Sequence, residues 1–261
     1  MEGWAGAAAG FAAGLLIAIV TTPVGVSGAV FLLPVQLSVL QVPSPAVTPT
    51  NLLFNVVAGP GALLRYARAG QLNGPLTRRL LAGTVPGVAV GATVRVFLLP
   101  GATVFKLVAA GVLVPLGVWL CLRTVRPSPP TDAPVRRVAL LAFVVGVVGG
   151  IYGIGGGSIM GPILVGRGQP VSLVAPAALA STFAASLSGA LVYAGLALTT
   201  SVSAAPHWTL GLLAGLGGLV GGYVGALVQP RLPENGLRLL LGVTATAVGV
   251  LYAAESWPRP T

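Results

Sequence analysis

The sequence predicts an all-α integral membrane protein made of two inverted repeats. Each repeat has about five apolar segments, and the second of each is short or broken near the midplane. Three observations carry this reading. Of the 261 residues, 55% are hydrophobic and only 7% charged, where an ordinary soluble domain carries about 25% charged. Two glycine-rich breaks lie half a chain apart in apolar runs. They are Gly25-Val26-Ser27-Gly28-Ala29 leading to Pro34, and Gly153-Ile154-Gly155-Gly156-Gly157-Ser158 leading to Pro162, with the same glycine-to-proline spacing. The basic residues sit in small groups between the apolar runs, as in membrane loops.

Composition removes several function classes. The mean hydropathy is +0.95, and a soluble fold could not keep that much apolar surface from water. The net charge of +10 is scattered rather than gathered on one face, so nucleic acid is not the expected partner; the lipid bilayer is. A single cysteine, Cys121, excludes an internal disulfide and a Cys-rich metal site, and reads as a small packed residue. The N-terminus carries Glu2 and no basic residue before Ala5–Val20. That stretch is expected to be a first span rather than a cleaved signal.

Glycine, proline and arginine breaks divide the chain into ten segments. The first half gives 5–22, 26–41, 47–65, 80–98 and 104–122; the second gives 138–152, 157–166, 173–197, 208–228 and 237–253. A helix needs about 20 residues to cross the hydrocarbon core. Segment 157–166 is far shorter, so it is expected to be a half-helix packed inside protein, where its backbone ends can be satisfied. Residues 1–126 then form one repeat, 127–137 a proline-rich cytoplasmic linker, and 138–261 the second repeat.

Arginine placement sets the expected topology. With every segment crossing and the N-terminus outside, the inner side collects eleven of the 14 basic residues, leaving Arg95, Lys106 and Arg259 outside. If the two short segments re-enter instead, the split is nine to five. The first arrangement follows the positive-inside bias better. Its odd number of crossings inverts one repeat relative to the other, a recurrent transporter design with the binding site at the breaks.

The repeat extends beyond the glycine stretches. Pro49-Thr50-Asn51-Leu52-Leu53-Phe54-Asn55 matches Ala180-Ser181-Thr182-Phe183-Ala184-Ala185-Ser186. Thr50 falls with Ser181, Asn51 with Thr182, and Asn55 with Ser186. Positions four apart share a helix face, so each half presents a polar stripe. Such groups can simply pin helices together, at about 0.6 kcal/mol each. Two matched stripes beside two matched breaks favour a lined cavity.

These motifs, with Tyr66 completing the run Thr50-Asn51-Leu52 … Asn55 … Tyr66, resemble the TauE/SafE family of sulfite exporters, also called the toluene-sulfonate uptake permease family. The resemblance covers nearly the whole chain. Ser27 and Ala29 stand where the family often has glycine. It implies a multi-pass protein of a prokaryotic plasma membrane that moves sulfite, sulfonates or other small organic anions.

The residues point to an anion on their own terms. Successive glycine N–H groups can form an anion nest, and a half-helix starting there adds about +0.5 charge. The expected binding set is Gly25, Ser27, Gly28, Thr50, Asn51, Asn55, Gly155, Gly156, Gly157, Ser158, Ser181, Thr182 and Ser186. This design holds a monoanion without a buried arginine. A nucleotide loop is excluded because no Lys-Ser/Thr follows; close helix packing is the competing role for the glycines. The only acidic residues, Glu2, Asp132, Glu234 and Glu255, lie at termini or in loops, which argues against coupling through an intramembrane carboxylate. His207, before Trp208, reads as interfacial. No catalytic constellation, metal set or cofactor motif is expected, so the chain is not read as an enzyme. A scaffold without transport activity is the alternative. A homodimer is left open.

Overall fold

The computed structural model describes residues 4–34, 36, 42, 44–97, 102–125, 135–199 and 205–256. Among these residues there are ten α-helices and no strand. They are α1 (Trp4–Thr21), α2 (Ala29–Pro34), α3 (Ser44–Arg68), α4 (Pro75–Phe97), α5 (Ala102–Val125), α6 (Val135–Tyr152), α7 (Gly157–Gly166), α8 (Val171–Thr199), α9 (Trp208–Val228) and α10 (Glu234–Ser256). Five helices, α3, α4, α8, α9 and α10, are long and apolar enough to cross a membrane by the described residues alone. Large apolar side chains such as Leu16, Leu140, Leu191 and Val250 are exposed around the outside, as lipid-facing residues should be.

Small residues set how the helices pack. A Cβ on Gly217, Gly221 or Gly225 of α9 would lie 2.0, 2.2 or 2.9 Å from the carbonyl oxygens of Phe11, Leu15 and Ile19 of α1. The two sets of numbers rise together, so α1 and α9 run parallel at backbone contact. On its other side α9 meets Leu53, Val57 and Ala62 of α3 through Gly211, Gly215 and Gly222, again in parallel. In the same way Gly83, Gly87 and Gly91 of α4 press on Ala139, Phe143 and Val147 of α6. Without a hydrophobic force between helices in lipid, such close approach is what holds them together.

Other pairs run antiparallel. Leu52 meets Gly189 while Gly59 meets Phe183, which opposes α3 and α8. Gly117 meets Thr246 while Cys121 meets Gly242, which opposes α5 and α10. Cys121 is thus a packed residue, as its sequence position suggests.

These directions order the helix ends. Both α1 and α3 are parallel to α9, so both start at the same end of the bundle. Both α6 and α8 are parallel to α4, so they too share a starting end, the opposite one. Trp4 and Ser256 lie at one end of the bundle, here the terminal end. The α5–α6 connection lies at the other, the linker end. The basic residues Arg65, Arg68, Arg78, Arg79, Arg137, Arg167, Arg231 and Arg238 belong to the linker end.

Boundaries differ locally from expectation. The second segment, expected over 26–41, contains a helix only over Ala29–Pro34; residues 35, 37–41 and 43 lie outside the described set. The α7 helix matches the short segment at both ends. The linker expected over 127–137 is entered by α6 at Val135, and residues 126–134 lie outside the described set. The α3 helix extends past its expected ends and tolerates Pro49 and Pro60 within it.

Candidate functional site

The two glycine breaks meet. The first leaves α1 through a 3-10 turn over Thr22–Val24, ends it at Gly25 with φ +76°, and enters α2. The second leaves α6 through Gly153 (φ +68°) and Gly155 (φ +71°) and enters α7. Only glycine adopts these left-handed angles without strain. Here there is no room for a side chain either: a Cβ on Gly155 would lie 2.6 Å from Thr182 Cγ2, and one on Gly25 2.6 Å from Ala175 Cα.

One buried polar network joins the breaks to the crossing of α3 and α8. The Ser27 N–H donates to Ser158 Oγ at 3.1 Å. The Ser27 hydroxyl donates to Asn55 Oδ1 and accepts from the Ala29 N–H. Asn55 Nδ2 donates to the Gly153 carbonyl at 3.2 Å and to Ser186 Oγ at 3.0 Å. Ser158 Oγ donates to the Ile154 carbonyl and lies 3.5 Å from Thr182 Oγ1. Ser27, Asn55, Ser158, Thr182 and Ser186 are all buried. Asn55 is the hub, because one amide satisfies both breaks and α8 at once.

The start of α7 adds donors. No side chain caps this helix, and among the described residues the N–H groups of Gly156, Gly157 and Ser158 have no hydrogen-bonded acceptor. Such a first turn carries partial positive charge. A small cavity of about 30 Å³ adjoins the network, lined by Ser27, Gly28, Asn55 and Thr182 and reaching Thr22, Ala62 and Gly222 toward the linker end. It has room for about one water molecule.

Several expected site residues take other places. Thr50 donates to the Ala46 carbonyl and accepts from the His207 N–H, so it stands outside the network. Ser181 pairs with Thr84 on α4 at 2.8 Å and is also outside it. Asn51 is buried one turn from Asn55, donating to the Tyr152 carbonyl and accepting from Gln36 Nε2 at 2.8 Å. Gly156 has φ −63°, and neither Gly28 nor Gly157 has positive φ. The positive φ expected at Gly156 is replaced by an ordinary one, and all three glycines stand in close packing. A Cβ on Gly157 would sit 1.9 Å from the Ala178 carbonyl, one on Gly156 2.8 Å from Thr84 Cγ2, and one on Gly28 2.9 Å from Phe54 Cζ. The left-handed positions are Gly25, Gly153 and Gly155.

The structure also brings in residues that the motifs did not single out. Gln36 is buried, and its Oε1 has no partner among the described residues. Arg95, expected on the outer side among the loop residues, lies within α4 and is only 6% exposed. Its place at the end of an apolar run made it look like an interfacial loop residue, whereas its side chain turns into the bundle. Ala92 and Val96 on either side of it pack with Tyr193 of α8. His207 is exposed and caps α9 by accepting from the Leu210 N–H, which fits an interfacial residue. Among the described residues no group of three or more His, Cys, Asp or Glu side chains could hold a metal.

Comparison with known proteins agrees with this architecture. The family model described as "Sulfite exporter TauE/SafE" matches residues 10–252. No curated protein and no solved structure matches the chain. The match runs from within α1 to within α10 and includes both breaks, the polar crossing of α3 and α8, and Arg95. The chain therefore belongs to the TauE/SafE sulfite exporter family, and it is a multi-pass membrane protein of a transporter family.

Proposed function

We propose that the protein is a secondary transporter for small sulfur-containing or organic anions, such as sulfite or sulfonates, bound where the two glycine breaks meet. The observation that carries this is the Ser27–Ser158 hydrogen bond. It joins two duplicated breaks beside the uncapped start of α7. A monoanion there would find hydroxyl and amide donors and the positive end of a helix. Such a site holds charge by dipoles and lets it go again, which conduction requires.

The two halves act as inverted repeats in this reading. Helix pairs correspond under exchange of the halves: α1 packs on α9 as α6 packs on α4, and α3 on α9 as α8 on α4. The self-corresponding pairs, α3 with α8 and α5 with α10, are the antiparallel ones. The basic linker end faces the cytoplasm and the terminal end faces outward. Alternating access then amounts to rocking one repeat against the other around the shared polar crossing.

The network as built is closed. Asn55 spends both amide hydrogens on Gly153 and Ser186, so substrate entry has to trade these bonds for anion contacts. The trade costs little net energy if each lost bond is replaced.

Flux of labelled sulfite and isethionate into liposomes holding the purified protein tests the reading. Saturable flux that falls at least about tenfold in Asn55→Leu is expected. Wild-type protein that is folded yet carries neither these anions nor thiosulfate nor sulfoacetate overturns it, and leaves a scaffold role.

A further inference from the structure

We propose that Arg95, Tyr152 and Tyr193 form a second anion station, which receives the substrate from the terminal end before it reaches the midplane breaks. This rests on the transport reading above and assigns that site its outer approach. An ionisable side chain inside a membrane bundle is costly and usually belongs to a substrate path. Arg95 is the one charged side chain buried among the described residues. Ala92 and Val96 on either side of it pack with Tyr193. Gly91, one turn earlier, presses on the Val147 carbonyl and the Ile151 nitrogen next to Tyr152. The two tyrosines, Tyr193 and Tyr152, are 6% and 3% exposed.

The position of this group is what makes it a station rather than a strut. Tyr193 packs with Leu52 of α3 and Ala92 of α4, and Thr48, one turn before Leu52, donates to the Ile151 carbonyl. Tyr152 immediately precedes the second glycine break, and its carbonyl accepts from Asn51. Polar groups therefore continue from Arg95 through Tyr193 and Thr48, then Asn51, to Asn55. Thr48 and Asn55 are seven positions apart on α3, which is about 10 Å along the helix axis. The cavity at the breaks extends the other way, toward the linker end. The two stations thus lie in series.

The chemistry fits a small oxyanion with at least two oxygens on one face. A guanidinium offers parallel N–H donors to such a pair, and the tyrosine hydroxyls can donate to a third oxygen. The station supplies a full charge where the anion sheds most of its water. The midplane breaks supply only dipoles, so the anion is not trapped there. Substrates with a planar carboxylate or a trigonal sulfur oxyanion suit this geometry better than a spherical halide.

Sided kinetics test the proposal. Proteoliposomes of uniform orientation are given sulfite or isethionate at one end of the protein at a time. Arg95→Gln is expected to raise KM for anion presented at the terminal end at least about tenfold. KM from the linker end should change less than about twofold, because the breaks are intact. Arg95→Lys keeps the charge but loses the fork, and should fall between. Tyr193→Phe keeps the ring, and is expected to raise terminal-end KM about threefold or more even if Arg95→Gln does not fold. Equal losses from both ends, or unchanged terminal-end KM in folded variants, would overturn the station while leaving the transport reading standing. Wild-type vesicles that carry neither anion would remove both.

Discussion

Asn55 on α3 and Ser186 on α8 are hydrogen-bonded at 3.0 Å, and they occupy matching positions in the two halves of the sequence. If the halves are inverted repeats as proposed, a pair that corresponds between them meets near the axis that relates them. The same Asn55 amide reaches the Gly153 carbonyl of the second break.

Replacing Asn55 with leucine should damage both fold and transport. It removes the donor to the Gly153 carbonyl and the Ser186 hydroxyl and the acceptor of the Ser27 hydroxyl in a dry interior, at about 1–3 kcal/mol for each group left unsatisfied. A fall in thermal midpoint together with loss of anion flux is expected. Asn55→Asp keeps the acceptor but brings charge, and should impair flux even more where the cargo is an anion.

Asn51→Leu should behave differently. Its loss frees the Gln36 amide and the Tyr152 carbonyl, yet both breaks remain joined through Ser27 and Ser158. Folded protein with most anion flux lost is the expected outcome. Wild-type flux and anion affinity in folded Asn51→Leu would take Asn51 out of the path.

The glycines of the second break should rank by geometry. Alanine at Gly155 must adopt φ +71° and push on Thr182, costing about 1–2 kcal/mol for the backbone before any clash. Alanine at Gly156 has an ordinary φ of −63° and meets only the end of Thr84 and the Gly146 backbone at 2.8 and 2.9 Å. Alanine at Gly70, also at φ +70° but with nothing within 4 Å, isolates the backbone strain alone. Chemical or thermal melts should give losses in the order Gly155, then Gly70, with Gly156 set by how far Thr84 and α6 can yield.

A linker-end contact offers a stability test away from transport. Glu234 at the start of α10 accepts from the Val171 N–H at 2.8 Å and from Arg238 Nε at 3.2 Å. It thereby caps α8 from a different helix. Glu234→Ala should lower stability by about 0.5–2 kcal/mol, as loss of a cap does, while anion KM stays near wild type. A melt unchanged by the substitution would show that water replaces the carboxylate.

Topology has its own check. Single cysteines at Arg68, Arg78 and Arg126 in a Cys121→Ala background should be shielded from an impermeant thiol reagent in whole cells, and cysteines near either terminus should react. The opposite pattern would invert the orientation inferred from the arginines.

How much was legible in the sequence depends on what each residue touches. The duplicated breaks showed through because glycine is required at Gly25, Gly153 and Gly155 by backbone angle, a demand no other residue meets cheaply. The Asn55–Ser186 pair showed through because its two polar residues hold matching places in the two halves and meet where α3 crosses α8. Thr50 and Ser181 looked equivalent to it, but one helix presents only one face to the crossing. Their hydroxyls turn instead to His207 and Thr84. Arg95 was hidden for a different reason. A basic residue near a helix end reads the same whether it faces water or the bundle, and only tertiary packing against α6 and α8 buries it. Gln36 was hidden inside a segment with no helical period to place it. At Gly156 the motif suggested a special backbone, whereas the glycine is there to let Gly146 and Thr84 approach.

The shared site can be tested by protection. Single cysteines at Ser27 and at Ser158, each in a Cys121→Ala background, are reacted with a small thiol reagent over a range of sulfite or isethionate concentrations. If both breaks hold one anion, it slows both reactions with the same half-protection concentration, and that concentration matches the flux KM. Protection of one cysteine only, or of the two at clearly different concentrations, would contradict a site shared by the two breaks.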